Sequence, residues 1–101
     1  RTRRISAWGV EQTFSVNYLG PFLLTTLLLP SLRQAASKEF PTRVVNVGSE
    51  SVRFAPNGGV VFNVSQINDP EFYDTMADKW MWYGHSKLAL SLFTKELNMR
   101  L

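Results

Sequence analysis

Tyr83 and Lys87 stand four residues apart in the stretch YGHSK, a spacing that puts both side chains on one face of a helix. A free phenol titrates at about pH 10, too high for a general base at neutral pH. A nearby ammonium favours the phenolate and pulls that value down, and a cationic cofactor ring beside the pair would help further. A tyrosine tuned in this way can give or take the proton of a substrate hydroxyl or carbonyl. The lysine has three donors and no acceptor, so it can also hydrogen-bond a ribose. On spacing alone a packed ring beside an exposed lysine is the commoner outcome, and other residues must decide.

Two residues could complete such a site. A proton donor needs a partner that polarises the substrate oxygen. Ser49 ends the run RVVNVGS, and ligands bind at the carboxyl ends of parallel strands; a serine that merely closes a strand and opens a turn is the plain alternative. Asn17 is an amide inside a very apolar helix. It either caps or kinks that helix or holds a water that refills the proton line. Pro21 lacks the N–H that would bond the Asn17 carbonyl four residues back, which leaves that carbonyl able to accept from water.

The elements that must position these residues follow from periodicity. Residues 7–33 have a helical pattern that becomes nearly continuous in FLLTTLLLPSL, residues 22–32. That stretch is far shorter than a membrane span and contains a proline, so it reads as a buried helix rather than a transmembrane segment. Residues 43–49 are rich in β-branched valines and predict a short buried strand of a parallel sheet. Residues 50–68 are loop-like, with an Asn-Gly-Gly turn at 57–59 and a short extended piece at 60–62. Asp69, Pro70 and Glu71 form a helix start, and a second long helix is expected from about Lys79 to the end. Helix, strand, loop and helix together predict an α/β fold, a slice of a Rossmann-like, doubly wound parallel sheet.

Composition bounds the rest. The chain has 101 residues, enough for one small domain. Its net charge of +3 includes a basic cluster at residues 1–4 but no basic stripe, which argues against a nucleic-acid partner. The absence of cysteine excludes disulfides, a thiolate nucleophile and a zinc–thiolate site, and it suits a reducing, cytoplasmic setting. The chain opens on arginine within a polar run and closes without a helix stop signal. It is therefore expected to be the central piece of a longer protein, residues 1–101 forming part of one domain. One strand makes no sheet, so the apolar helices are expected to lack much of what they pack on.

Three segments in register carry a specific resemblance: TFSVNYLGPFLLTTLLLPSL (residues 13–32), RVVNVGSES (43–51) and YGHSKLALSLFTKELNMRL (83–101). In this order they resemble the middle of a short-chain dehydrogenase/reductase, most closely the retinol-dehydrogenase-like group. The resemblance implies a catalytic tetrad. Tyr83 would be the acid/base, Lys87 the residue that lowers its pKa and binds the nicotinamide ribose, Ser49 the residue that orients the substrate oxygen, and Asn17 the anchor of a water relay. Tyr83, Lys87 and Asn17 would also face the cofactor. Pro21 stands where this group usually has histidine, Leu90 where it has asparagine, and Gly48 where a serine is commoner. The gap between Ser49 and Tyr83 is long, as an insertion in this group makes it. His85, between Tyr83 and Lys87 but on another face, reads as a surface or interface residue.

The resemblance further implies an oxidoreductase that moves a hydride between NAD(P)(H) and an alcohol or carbonyl, with NADP favoured over NAD and a lipophilic substrate. The glycine-rich phosphate loop of the family and the residue that selects NAD or NADP are not in this stretch, so the 101 residues alone are expected to be inactive. The family often dimerises through the two long helices, and a homodimer is a possible partner state. The alternative is a truncated, non-catalytic relative that uses its apolar helices as an association surface.

Overall fold

The computed structural model describes residues 4–75 and 79–101, so most of the basic cluster at residues 1–4 lies outside the described residues. The first helical run begins where a carboxylate can cap it. The Glu11 side chain accepts from the N–H groups of Thr13 and Phe14, each at 2.8 Å, which satisfies donors a helix start leaves unpaired. Helix α1 covers Gln12–Phe14, a π turn covers Ser15–Leu19, and α2 covers Gly20–Ala35. The expected helix over 7–33 thus starts five residues late. Residues 5–11 are instead a tight bend, closed by Ser6 N–H on the Val10 carbonyl (2.7 Å) and an isolated bridge between Ile5 and Glu11. Gly9 takes a positive φ of 77° in that bend, which its lack of a Cβ permits.

The π turn surrounds Asn17. Gly20 N–H bonds the carbonyl of Ser15, five residues back, and Pro21 then enters α2 at its first turn. Widened turns of this kind are found mostly as single π bulges within α-helices, and here the bulge places Asn17 in its middle.

Two of the sequence expectations are corrected. Among the described residues no strand or sheet is formed, so the Rossmann-like parallel sheet is absent. Residues 43–49 do run extended, but they lie along a helix rather than in a ladder, and Val45 and Val47 are 82% and 76% exposed. A β-strand is stable only with neighbours that pair its backbone, and among the described residues no segment pairs with it as a strand; residues 60–62 form no strand either. The apolar helix α2, expected to be buried, is also largely uncovered. Leu24 and Leu27 are 60% and 69% exposed. The helical run Gln12–Ala35 has 24 residues, enough in length and composition to cross a membrane. Apolar core helices of soluble proteins meet the same condition, and of itself it is weak support for a span.

After a 3₁₀ turn at Glu50–Phe54 come α3 (Val64–Asn68), α4 (Pro70–Thr75) and α5 (Lys79–Arg100). The start of α4 is as the sequence predicts, with the Asp69 carboxylate accepting from Glu71 N–H at 2.9 Å. The small core comprises Val10, Phe14, Ile67 and Ala89, flanked by Tyr18, Leu19, Val60 and Val61. Rings extend it along the helices: Phe14 lies 5.0 Å from Tyr18, and Phe22 of α2 meets Phe93 of α5 edge-on at 4.9 Å, geometries that aromatic pairs favour. The radius of gyration is 15.3 Å, against about 13 Å for a compact domain of this length, which fits an open arrangement around so small a core.

Candidate functional site

Helix α5 carries Tyr83 and Lys87 one turn apart. The Lys87 ammonium lies 5.6 Å from the centre of the Tyr83 ring, within the range of a cation–π contact. On the other side, Trp80 meets the Tyr83 ring edge-on at 6.3 Å. Trp80, Tyr83 and Lys87 therefore line one face of α5, as the spacing of Tyr83 and Lys87 predicts. Lys87 Nζ also donates to the Val47 carbonyl at 3.1 Å. That bond uses one of three ammonium donors and draws the extended segment alongside α5. Asn46 adds a second tie, its Nδ2 donating to Thr94 Oγ1 at 2.9 Å.

Ser49 follows this segment two residues after Val47. Its hydroxyl caps the 3₁₀ turn by accepting from Ser51 N–H at 3.1 Å and shares a 2.9 Å hydrogen bond with Ser51 Oγ. Ser51 is buried, and its backbone lies directly against Gly84, the residue after Tyr83. A Cβ on Gly84 would collide with the Ser51 carbonyl oxygen and come within 3.1 Å of Ala55 N. A glycine is needed here because two backbones approach closely, and this approach holds the Ser49 turn beside the start of the Tyr83–Lys87 face.

Asn17 reaches the same helix from the π turn. Its Nδ2 donates to Ser86 Oγ at 3.1 Å, and the Ser86 hydroxyl donates to the Tyr83 carbonyl at 2.7 Å. Ser86 is fully buried and Asn17 half-buried, and this short chain fixes Asn17 relative to Tyr83. All four residues singled out in the sequence thus belong to segments that converge on the first half of α5. Lys87 and Asn17 make contact with the Tyr83 ring and backbone, directly or through Ser86; Ser49 is brought near by packing at Gly84.

Sequence reasoning missed Gly84 and Ser86. Their only signal was that the residues between Tyr83 and Lys87 are small or polar. His85 is a correction: expected at the surface or an interface, it is 3% exposed. Its Nε2 accepts from Val61 N–H at 3.0 Å, and its ring packs against Phe14 at 5.4 Å and Phe72 at 5.7 Å. Burial lowers its pKa below the ordinary 6.5, an effect the Glu11 charge partly opposes.

Beside the Tyr83 phenol, the Lys87 ammonium can hydrogen-bond a hydroxyl group. Lys87 has ammonium donors beyond the one given to Val47, next to a phenol on the same face. The six glycines of the chain form no phosphate-binding loop.

The chain is similar to several oxidoreductases. It is 44% identical over 94 residues to "Retinol dehydrogenase 13" of Mus musculus, covering 92% of this chain and 24% of that protein. It is 40% identical over 97 residues to "WW domain-containing oxidoreductase" of Gallus gallus, covering 92% of this chain and 21% of the relative. It is 34% identical over 99 residues to "Short-chain dehydrogenase TIC 32 A, chloroplastic" of Brassica napus, covering 97% of this chain and 29% of the relative. The chain therefore spans between about a fifth and three-tenths of these relatives. No family profile matches the chain, and no solved structure matches it.

Proposed function

The segment belongs to the short-chain dehydrogenase/reductase family, in its retinol-dehydrogenase-like group, and on that premise we propose that it is the proton-transfer part of an oxidoreductase acting on an alcohol or its carbonyl. A bound nicotinamide dinucleotide would supply or accept the hydride. The Tyr83 hydroxyl gives its proton to the carbonyl oxygen on reduction, or takes the hydroxyl proton on oxidation. Lys87 keeps a positive charge against the Tyr83 ring and offers its remaining donors to the ribose. Ser49 holds the substrate oxygen from the 3₁₀ turn. Asn17, fixed to Ser86, anchors a water through which Tyr83 exchanges its proton with solvent.

The observation that carries this reading is the convergence of Lys87, Ser86 and Asn17 on Tyr83. An isolated tyrosine–lysine coincidence would not bring an amide from a distant, half-buried position onto the same turn. A lipophilic substrate is supported by the retinol dehydrogenases among the relatives, and NADP is proposed over NAD on family grounds. The test is Tyr83→Phe in the full-length protein. Turnover should be abolished while NADPH titrates nearly as in the wild type; turnover at the wild-type rate refutes the assignment. The exposed leucines of α2 favour a second reading, a non-catalytic relative that associates through this helix. Wild-type protein with no turnover of any alcohol or carbonyl, yet with a stable self-associated state lost in Leu24→Glu/Leu27→Glu, would support it.

A further inference from the structure

We propose that His85 is a positioning residue: its neutral ring clasps the 55–63 loop and the segment bearing Asn17 onto the helix turn between Tyr83 and Lys87. The proposal rests on the reading of Tyr83 and Lys87 as the proton-transfer pair, and adds a residue that touches neither substrate nor cofactor.

The position is set by helix geometry. His85 follows Tyr83 by two residues and precedes Lys87 by two, so its side chain leaves α5 on a different face. That face is buried. Three segments meet the ring there. Val61 N–H, from the loop, donates to Nε2 at 3.0 Å. Phe14, three residues before Asn17, lies 5.4 Å away at a tilt of 32°. Phe72 of α4 meets the ring edge-on at 5.7 Å. The loop turns on two consecutive glycines with positive φ, Gly58 and Gly59; Val60 and Val61 pack on the core and the Phe62 ring lies 5.8 Å from Tyr18, and the His85 bond adds a directional tie to this apolar packing.

The clasp works only with a neutral ring. Accepting at Nε2 puts the single proton of the neutral imidazole on Nδ1. A second proton would turn Nε2 into a donor aimed at the Val61 N–H, and the hydrogen bond would become a repulsive contact between two donors. The surroundings keep that proton off. The loop at 55–63 contains no ionisable residue. Asp69 and Glu71, at the start of the helix that bears Phe72, are exposed to solvent. Glu11, the buried cap of α1, is the charge that reaches the ring and draws the proton toward it. Burial outweighs it, so the ring stays neutral through the physiological range and charges only on acidification.

The experiment is amide exchange at Val61 in the full-length protein, corrected for the intrinsic pH dependence of exchange, alongside turnover. Wild type should protect Val61 at neutral pH and lose that protection below pH 6.5. His85→Gln keeps an acceptor near the place of Nε2 but cannot titrate, and it should protect Val61 at all pH values. His85→Phe keeps the ring packing without the acceptor. It should exchange Val61 about tenfold faster at neutral pH, a factor on the scale of one ordinary buried hydrogen bond. In turnover, His85→Phe should lower kcat with NADPH affinity unchanged, and His85→Gln should remove the acid limb of the pH profile that falls below 6.5. Val61 exchange that is independent of pH in the wild type, or the same in His85→Phe as in wild type, overturns the clasp. Because exchange is read without catalysis, loss of the clasp and loss of the oxidoreductase assignment are separate outcomes.

Discussion

Replacing Gly84 with alanine in the full-length protein tests the packing that brings Ser49 to Tyr83. Two effects oppose one another. Alanine is the better helix former, and in an open helix interior the change stabilises by about 1 kcal/mol. At Gly84 the added Cβ would strike the Ser51 carbonyl oxygen and sit 3.1 Å from both Ala55 N and Ser51 C. All three are backbone atoms, so no rotamer change can relieve the contact, and the 3₁₀ turn at Glu50–Phe54 must move off α5. Overpacking of this kind costs about 1–3 kcal/mol, and contact with backbone places it in the upper half of that range. The net expectation is a destabilisation of about 1–2 kcal/mol. Urea denaturation with an unchanged slope would read it as a lower midpoint. Turnover should fall as well, because the turn that moves holds Ser49. A variant that is stabilised by about 1 kcal/mol, as alanine is at an open helical position, would show that α5 and the turn are not in contact and would refute the packing.

Other expectations follow from single groups. Ser86→Ala removes the acceptor of the half-buried Asn17 amide, whose donor water can then take, and should cost about 0.5–1.5 kcal/mol; a double-mutant cycle with Asn17→Ala should show a coupling of at least about 0.5 kcal/mol, whereas additive effects would deny the contact. Thr13 Oγ1 is buried without a hydrogen-bond partner, so Thr13→Val, close in shape, should leave the urea midpoint unchanged or raise it. The lowered His85 pKa gives a pH dependence with a definite sign. As pH falls below 6.5 the unfolded chain takes up a proton that the folded ring still refuses, so stability declines from 6.5 down to the folded value and levels off below it. Urea midpoints measured across that range should decline in wild type, and this part of the decline should be absent in His85→Gln.

Much of the site could be read from residue types and order. The helix starting at Asp69–Pro70, the Tyr83–Lys87 face of α5 and the disturbance of the helix near Asn17 and Pro21 are local matters. Capping carboxylates, a four-residue spacing and a missing N–H act within one or two turns, so they survive whatever surrounds them. The start of the first helix was misjudged because Glu11, a less usual cap than serine or aspartate, took that role, and the apolar pattern upstream of it belongs to a bend.

The rest depended on contacts between distant segments. Valines at 43–49 specify a strand only if other strands lie beside them, and here Lys87 and Asn46 tie that segment to α5 instead. The exposure of α2 likewise depends on what packs over it, not on its own leucines. Gly84 and Ser86 look like fillers in YGHSK, and His85 like a surface residue. Only the approach of the Ser51 backbone, the Asn17 amide and the Val61 N–H gives each of them its role. Local sequence determined where Tyr83 and Lys87 stand on their helix. Tertiary packing decided what meets it there, because hydrogen bonds and close backbone contacts between residues up to 69 positions apart have no periodicity along the chain for sequence to show.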